Sequence, residues 1–176
     1  FSFKINIKEG INMEFKKIRT LNWLMSETGR RPLKLDRIPG FYFMGEVVDE
    51  PDFKTAEATG VLRVPFICDP FMIDEQWEGD ILWDDFRFEL DVLQPRFFEI
   101  VGSEEITIIN PGVTHTRPSI NSSHDCTVIL NDDVNRPIDV KTGNRIYKPL
   151  VLKPGKNKLL ISGSTNFEYW FYKEVI

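Results

Sequence analysis

The sequence predicts a mainly β protein with a single helix near its beginning. Aromatic residues make up 12% of the 176 residues, fourteen of them Phe, and such side chains favour the pleated surface of strands. The eleven Gly and eleven Pro are distributed along the chain as turns between short strands usually are. With 41% hydrophobic residues, the chain can fill one large core or two small ones.

The first two predicted elements are a strand and the helix. Residues 1–7 alternate apolar and polar side chains, which is the period of a strand with one buried face. From Asn12 to Gly29, apolar residues recur every three or four positions, as in an amphipathic helix. Asn12 suits the N-cap and Gly29 the C′ position. The apolar positions are Phe15, Ile18, Leu21, Leu24 and Met25.

The rest of the chain predicts short strands separated by turns. Strands are expected at 33–36, 41–48, 61–68, 85–93, 97–101, 105–109, 126–131, 150–152, 158–161 and 167–175. Pro39-Gly40, Pro111-Gly112 and Pro154-Gly155 predict type II turns, because Pro fixes the first central φ and Gly supplies a positive second φ. Thr142-Gly143-Asn144 predicts a hairpin.

A change of pattern near residue 74 predicts two domains. Residues 1–74 combine strands with the helix, whereas 75–176 read as an uninterrupted series of strands, typical of a β-sandwich. Residues 73–80 are acidic and rich in turn formers, so we expect a connector there, with Trp77 packed on a neighbouring surface.

Charge and composition exclude several function classes. The net charge of −5 and the absence of a dense Lys/Arg cluster argue against a nucleic-acid partner. No stretch has the roughly eighteen apolar residues that a membrane helix needs, and no secretory leader pattern is present. Cys68 and Cys126 lack partner spacing, so neither a disulfide nor a zinc site is predicted. Because the first Met is Met13, within the helical pattern, we expect the chain to begin inside a larger protein.

Candidate catalytic groups are few, and we predict no enzyme, no cofactor and no metal site. The only histidines are His115 and His124, both in polar surroundings typical of loops. His124 lies beside Asp125 with Ser122 and Ser123 nearby, but a triad is assembled from separate segments, so we interpret this stretch as a loop.

Acidic residues occur in pairs and groups that we interpret as solvated turns. No group has the alternating oxygen ligands, glycine and distal Glu of a calcium loop. Two carboxylates facing each other across a cleft, as in a glycosidase, cannot be identified from sequence. The pairs are Asp84-Asp85, Glu104-Glu105 and Asp132-Asp133, and the looser group is Asp74, Glu75, Glu78 and Asp80.

Aromatic side chains at 167–172 point to both faces of a predicted strand. This pattern indicates a central sandwich strand or one that docks on another domain, and core packing is favoured over a platform for sugar stacking. Sugar binding would require an aromatic platform beside polar groups on one face.

Several stretches occur in a characteristic order along almost the whole chain. They are 21–24 through Leu33, the aromatic strand 41–47, the Cys-Asp-Pro stretch 66–71, and 81–91. The last is a frame formed by 106–109, Asn110-Pro111-Gly112, Pro118 and 152–157 with its Pro154-Gly155 and Asn157. In this order the stretches resemble the distal tail proteins of long non-contractile-tailed phages and prophages of Gram-positive bacteria.

The resemblance implies a partial α+β domain at 1–74, part of a hexameric ring, followed by a galectin-like β-sandwich at 75–176. It implies a structural virion protein of the tail tip or baseplate, made in the bacterial cytoplasm. Its expected partners are copies of itself, the tail tube protein, and the tail-associated lysin or fibre, with receptor-binding proteins in some phages. Because only 1–7 precede the helix, fewer strands than in the family, we expect an N-terminally truncated fragment. The partner-binding residues are not identifiable from sequence.

Three functions were compared. A structural tail protein agrees best with the order of the motifs and the scarcity of catalytic groups. A carbohydrate-binding β-sandwich for host-surface attachment is the alternative, and it depends on exposed aromatic residues. A cell-wall hydrolase ranks last, because only carboxylates with no motif around them are available.

Overall fold

The computed structural model describes residues 2–6, 15, 18–20, 22–23, 29–48, 61–79 and 86–176. It confirms the mainly β class, with antiparallel sheets throughout the described pairings. The chain divides into two compact units, Phe1–Met72 and Ile73–Ile176. Each unit is described separately below.

The described residues contain thirteen strands, numbered in chain order. They are β1 Ser2–Asn6, β2 Arg31–Lys34, β3 Phe41–Val47, β4 Val61–Trp77, β5 Phe97–Ile100, β6 Ser103–Asn110, β7 Ser119–Ser122, β8 Cys126–Leu130, β9 Ile138–Val140, β10 Gly143–Ile146, β11 Gly155–Ser162, β12 Thr165–Trp170 and β13 Tyr172–Val175.

The first unit is built on a sheet with the strand order β1-β4-β3-β2. β1 pairs with the beginning of β4, where Ser2 lies opposite Pro65, and β2 pairs with β3, where Leu33 lies opposite Phe43. The helix predicted at 12–29 is present at its described positions, 15, 18–20 and 22–23. Its apolar positions Phe15 and Ile18 are exposed, whereas Leu21, Leu24 and Met25 lie outside the described residues.

The second unit contains two four-stranded antiparallel sheets. One has the order β10-β7-β12-β5 and the other β6-β11-β8-β9. Inward side chains of both sheets and of the segments next to them form one apolar cluster of fifteen buried residues. The two sheets therefore form a β-sandwich. In β11, for example, Leu159 and Ile161 point inward and are fully buried, while Lys158 and Leu160, which alternate with them, are exposed. Burial of each such side chain stabilises the fold by about 1.5–3 kcal/mol.

One strand prediction and one connector prediction are wrong for physical reasons, and in place of the strand predicted at 150–152 there is only an isolated bridge between Leu152 and Thr116. The described part of 85–93 contains no strand, because the Arg87 carbonyl accepts hydrogen bonds from the amides of Leu90 and Asp91 and closes a turn. The connector predicted at 73–80 is wrong for 73–77, since β4 continues through them to Trp77, and a turn follows at 78–79. Asp80, Asp84 and Asp85 lie outside the described residues. Sequence patterns also missed β7, β9 and β10, which have only three or four residues each and are too short to show a period.

Some of the turn predictions are confirmed and others are wrong. Gly40 and Gly155 have φ values of 82° and 87°, as type II turns require. Gly112 has no positive φ, so the type II turn predicted at Pro111-Gly112 is wrong. A Cβ at Gly112 would lie 2.9 Å from the Glu174 carbonyl oxygen, and glycine is needed there because the two backbones approach closely. The hairpin expected at 142–144 is wrong, because β9 pairs with β8 and β10 pairs with β7, which places them in different sheets.

Candidate functional site

The histidines and their neighbours do not assemble a triad. His115 and His124 are both exposed, and the Ser123 hydroxyl lies 3.0 Å from His124 Nδ1. The Asp125 carboxylate instead accepts hydrogen bonds from Lys141 Nζ at 2.8 Å and the Thr142 amide at 2.9 Å. The Lys141 hydrogen bond, followed by those of Thr142, lowers the pKa of Asp125 to about 2. Asp125 therefore ties two loops together and does not orient an imidazole.

A cluster of charged side chains, the Lys173 cluster, lies in the interior of the second unit. The Lys173 ammonium is 2.8 Å from Glu78 Oε1 and 3.1 Å from Asp74 Oδ2, and it also contacts Asp91. Arg87 pairs with Asp74 and lies 3.1 Å from Asp91 Oδ1. Lys173 and its three carboxylate partners are buried. The interpretation of Asp74 and Glu78 as solvated turn residues is therefore wrong.

Burial and pairing act on the pKa values of the Lys173 cluster in opposite directions. Burial raises the pKa of Glu78 and outweighs the hydrogen bond from Lys173. Burial would also raise the pKa of Asp91, but hydrogen bonds from Arg87 and Lys173 lower it. For Lys173, burial favours the neutral amine, yet hydrogen bonds to Asp91 and Glu78 hold the pKa above its ordinary value.

Glu78 is the member of the cluster best suited to hold a proton. Its Oε2 is buried without a hydrogen-bond partner, whereas Oε1 contacts Lys173. With Glu78 neutral, the cations Lys173 and Arg87 balance the anions Asp74 and Asp91. A neutral set of paired groups is the arrangement that a low-dielectric interior tolerates.

The Lys173 cluster fastens three segments to one another. Asp74 and Glu78 come from the end of β4 and the turn after it, Arg87 and Asp91 from the 87–91 turn, and Lys173 from β13. The Glu78 amide also donates to the Phe171 carbonyl oxygen at 2.9 Å. Since Lys173 and its carboxylate partners are buried, these contacts hold the three segments together in the interior of the unit.

Two asparagines of the resemblance frame stabilise turns. Asn157 is fully buried; its amide donates to the carbonyls of Lys153 and Gly155, and its oxygen accepts from the Lys153 amide at 2.9 Å. Asn110 donates to the Thr114 carbonyl at 2.8 Å and accepts from the Gly112 amide. These contacts satisfy backbone groups that the sheet ladders leave unpaired.

A side-chain amide also covers part of one sheet edge. Gln94 Nε2 donates to the Ile109 carbonyl and Gln94 Oε1 accepts from the Ile109 amide, both at 2.8 Å. These two hydrogen bonds replace those that a neighbouring strand would make to β6, which is an edge strand of its sheet. At Ile109 the edge is therefore closed to pairing with another chain.

Three aromatic rings of the second unit are grouped at its surface. The Trp77 ring centroid is 5.8 Å from that of Trp170 and 5.4 Å from that of Tyr172, and both pairs are tilted. Trp77 and Tyr172 are each 38% exposed, and Trp170 is partly exposed. Of the aromatic run at 167–172, the alternate members Phe167, Tyr169 and Phe171 are buried in the core. The expectation of core packing thus holds for alternate positions only.

Sequence reasoning missed the Lys173 cluster and identified the turn frame only through a resemblance. One available signal was the position of Lys173. It continues the series of alternate, buried positions that are aromatic at Phe167, Tyr169 and Phe171. Among the described residues, no group of three or more His, Cys, Asp or Glu side chains is arranged to hold a metal ion. Within the described part of the chain, no helix has the length and apolarity needed to span a membrane.

Comparisons with known proteins find a likeness among solved structures. No family model and no curated protein sequence matches the chain. Among solved structures, the chain is similar to the Dit protein of phage SPP1, described as a paradigm of the hub adsorption apparatus in phages that infect Gram-positive bacteria. The TM-score is 0.58 at 14% identity, over 99% of this chain and 78% of that one. At this identity the likeness shows a shared fold.

Proposed function

We propose that this chain is a structural component of a phage tail tip, acting as a hub between the tail tube and the tail-associated lysin or receptor-binding proteins. In this role the first unit contributes to a hexameric ring, and the second is a galectin-like sandwich attached to it. The proposed role is structural and not catalytic, and the proposed location is the virion.

The observation that carries the proposal is the likeness to SPP1 Dit across nearly the whole chain. It covers 99% of the residues and therefore includes both units. The same family was indicated independently by the order of short motifs along the sequence. A fold can serve many functions, so the agreement of motif order with fold is the stronger support.

The surface of the first unit supports an assembly role. The helical residues Phe15, Ile18 and Trp23 are 70%, 52% and 70% exposed. On a helix these positions fall within one broad face. Grouped large apolar side chains on a surface favour contact with other subunits, and a closed ring provides such contacts through repeated heterologous interfaces.

Immunogold electron microscopy of virions tests the proposal directly. Antibodies raised against the chain are applied to intact virions of the phage that encodes it. Labelling confined to the tail tip is the expected result. Labelling of the head, labelling along the tail shaft, or absence from purified virions that contain the other tail proteins would contradict the proposed function.

A further inference from the structure

The outer face of the sheet β10-β7-β12-β5 has a composition unlike the rest of the second unit. Cross-strand register places two longer rows of side chains there, and the pair Asn166 and Glu99 lies beyond them on the same side. One row is Asn144, Asn121, Glu168 and Phe97, and the other is Ile146, Ser119 and Trp170. Residues directly opposite each other point to the same side of a sheet, and alternate residues such as Ile120 and Tyr169 fill the core. We call this surface the amide-aromatic face.

The rings of Trp77, Trp170 and Tyr172 form an aromatic group at one end of the amide-aromatic face. Trp170 belongs to the face itself, and it contacts Trp77, which in turn contacts Tyr172. The mutual contacts restrict the rings, while the 38% exposure of Trp77 and Tyr172 leaves part of each ring accessible. Rigid rings that remain accessible provide large apolar contact area at little cost in side-chain entropy.

Polar side chains beside this aromatic group are held in place by an ion pair and hydrogen bonds to one another. Arg96 Nη2 is 3.2 Å from Glu168 Oε1, and the Asn121 amide is 3.5 Å from the other Glu168 oxygen. Ser119 donates to Asn144 Oδ1 at 2.7 Å. Amide and carboxylate groups have several donor and acceptor positions each, so these contacts leave hydrogen-bonding capacity for a ligand.

The charge of the face disfavours an anionic ligand. Glu168 is paired with Arg96, the exposed Glu99 lies on the same side of the sheet, and the two rows contain no Lys or Arg that would attract a phosphate or another anion. Neighbouring strands lie about 4.8 Å apart, so a row across four strands is about 14 Å long. This length suits an oligomer of a few sugar-sized units. Ligands with apolar C–H faces and many hydroxyl groups match both the rings and the amides.

The outer face of the opposite sheet provides an internal contrast. There the register aligns Lys158 with Thr107 and Leu160 with Glu105, and Lys158 pairs with Glu105 at 3.1 Å. No aromatic side chain belongs to β6, β11 or β8. The combination of rings and amides is thus specific to one face of the sandwich.

We propose that the amide-aromatic face binds a neutral oligosaccharide. The rings of Trp170, Trp77 and Tyr172 stack on the C–H faces of the sugar, and Asn121, Asn144 and Glu168 bind its hydroxyl groups. This activity is additional to the hub role and independent of ring formation, since all of these residues belong to the second unit.

Nuclear magnetic resonance titration of the whole chain tests this proposal. The probes are neutral oligosaccharides of glucose, galactose and N-acetylglucosamine, added up to about 10 mM because protein–sugar contacts of this size are weak. The expected result is saturable shifts of the indole N–H signals of Trp77 and Trp170 with at least one sugar class.

Variants separate this face from other sites. Trp170→Ala and Glu168→Gln are each expected to weaken binding about tenfold or more. Phe88→Ala, which removes an exposed ring outside the four strands, is the matched control and is expected to leave the affinity unchanged. If Trp170→Ala disturbs the fold, Glu168→Gln and Asn121→Ala provide the same test.

Three results would overturn the proposal. One is the absence of indole shifts with every sugar class. Another is binding that persists in both Trp170→Ala and Glu168→Gln, which would place the sugar elsewhere. The third is a Trp170-dependent complex with another tail protein in a chain that binds no sugar, which would assign the face to a protein partner.

Discussion

The two units of the chain use their apolar residues differently. In the second unit, fifteen buried residues close into one cluster between two sheets. In the first unit, the described helical residues Phe15 and Trp23 are each 70% exposed. The second unit has its own buried core, although it also exposes large apolar side chains such as Phe88 and Leu93, each 79% exposed; the exposed apolar residues Phe15 and Trp23 of the first unit lie on one helix. Changes in the second unit should therefore alter stability, and changes in the first should alter subunit association.

The largest expected effect is that of Lys173→Met in the second unit. The substitution leaves three buried carboxylates without their shared ammonium, so we expect a loss of about 3–5 kcal/mol in the free energy of unfolding, measured by urea denaturation. Lys158→Met, which breaks an exposed pair with Glu105, is the control and should leave the unfolding midpoint nearly unchanged. Equal effects of the two variants would refute the structural role of the Lys173 cluster.

A smaller loss is expected for Asn157→Ala. The variant removes a buried side chain and leaves the Lys153 amide and the carbonyls of Lys153 and Gly155 without their partner in the turn before it. We expect a destabilisation of about 2–3 kcal/mol in the same urea assay. Asn144→Ala, at an exposed strand position, is the control, and a similar loss there would show that these turn contacts are not the cause.

The pH dependence of stability should separate Glu78 from Asp91. Glu78 has a raised folded-state pKa, so its stabilising effect is complete below about pH 4.5 and is lost as the pH rises through the folded-state pKa. Asp91 has a lowered pKa, so its effect is complete above about pH 3.8 and is lost as the pH falls.

Urea midpoints measured from about pH 3 to about pH 8 test these signs. Relative to the wild type, Glu78→Gln should become more stable as the pH rises, because it cannot acquire a buried charge. Asp91→Asn should lose most at neutral pH and least in acid. Parallel curves for all three proteins would show that neither group titrates differently on folding.

The smallest effect on stability is expected from substitutions in the first unit. Phe15→Ser and Trp23→Ser change exposed side chains, so the unfolding of the second unit should not shift. The mass in solution should instead fall, because the proposed subunit contacts lose apolar area. Phe88→Ser, an exposed apolar position of the second unit, should leave the mass unchanged.

Much of the fold could be predicted from the sequence because alternation is a local signal. The mainly β class, the strand at 41–47 and the helix positions follow from periodicity, and the long strands of the sandwich do so as well. The continuation of β4 to Trp77 could not be predicted, because its acidic residues look like turn formers until Lys173, almost a hundred residues later, neutralises them. The role of Gly112 could not be predicted either, because the residue that approaches it, Glu174, lies far away in the sequence.

The candidate sites were less predictable than the fold. Asn121, Asn144 and Trp170 lie on three strands, two of which are short and were not recognised. Only the cross-strand register brings their side chains to one face. Sequence reasoning correctly stated what a sugar platform requires, but it had no means to align the amides with the rings.

The most direct test of the hub proposal is the mass in solution, measured by light scattering over a wide range of protein concentration. It should be made on this chain and, where the gene encodes a longer polypeptide, on that polypeptide. The account predicts a species of six copies, with Phe15→Ser and Trp23→Ser reducing its mass. A single copy at every concentration for both proteins, with no effect of the two substitutions, would contradict a ring-forming hub.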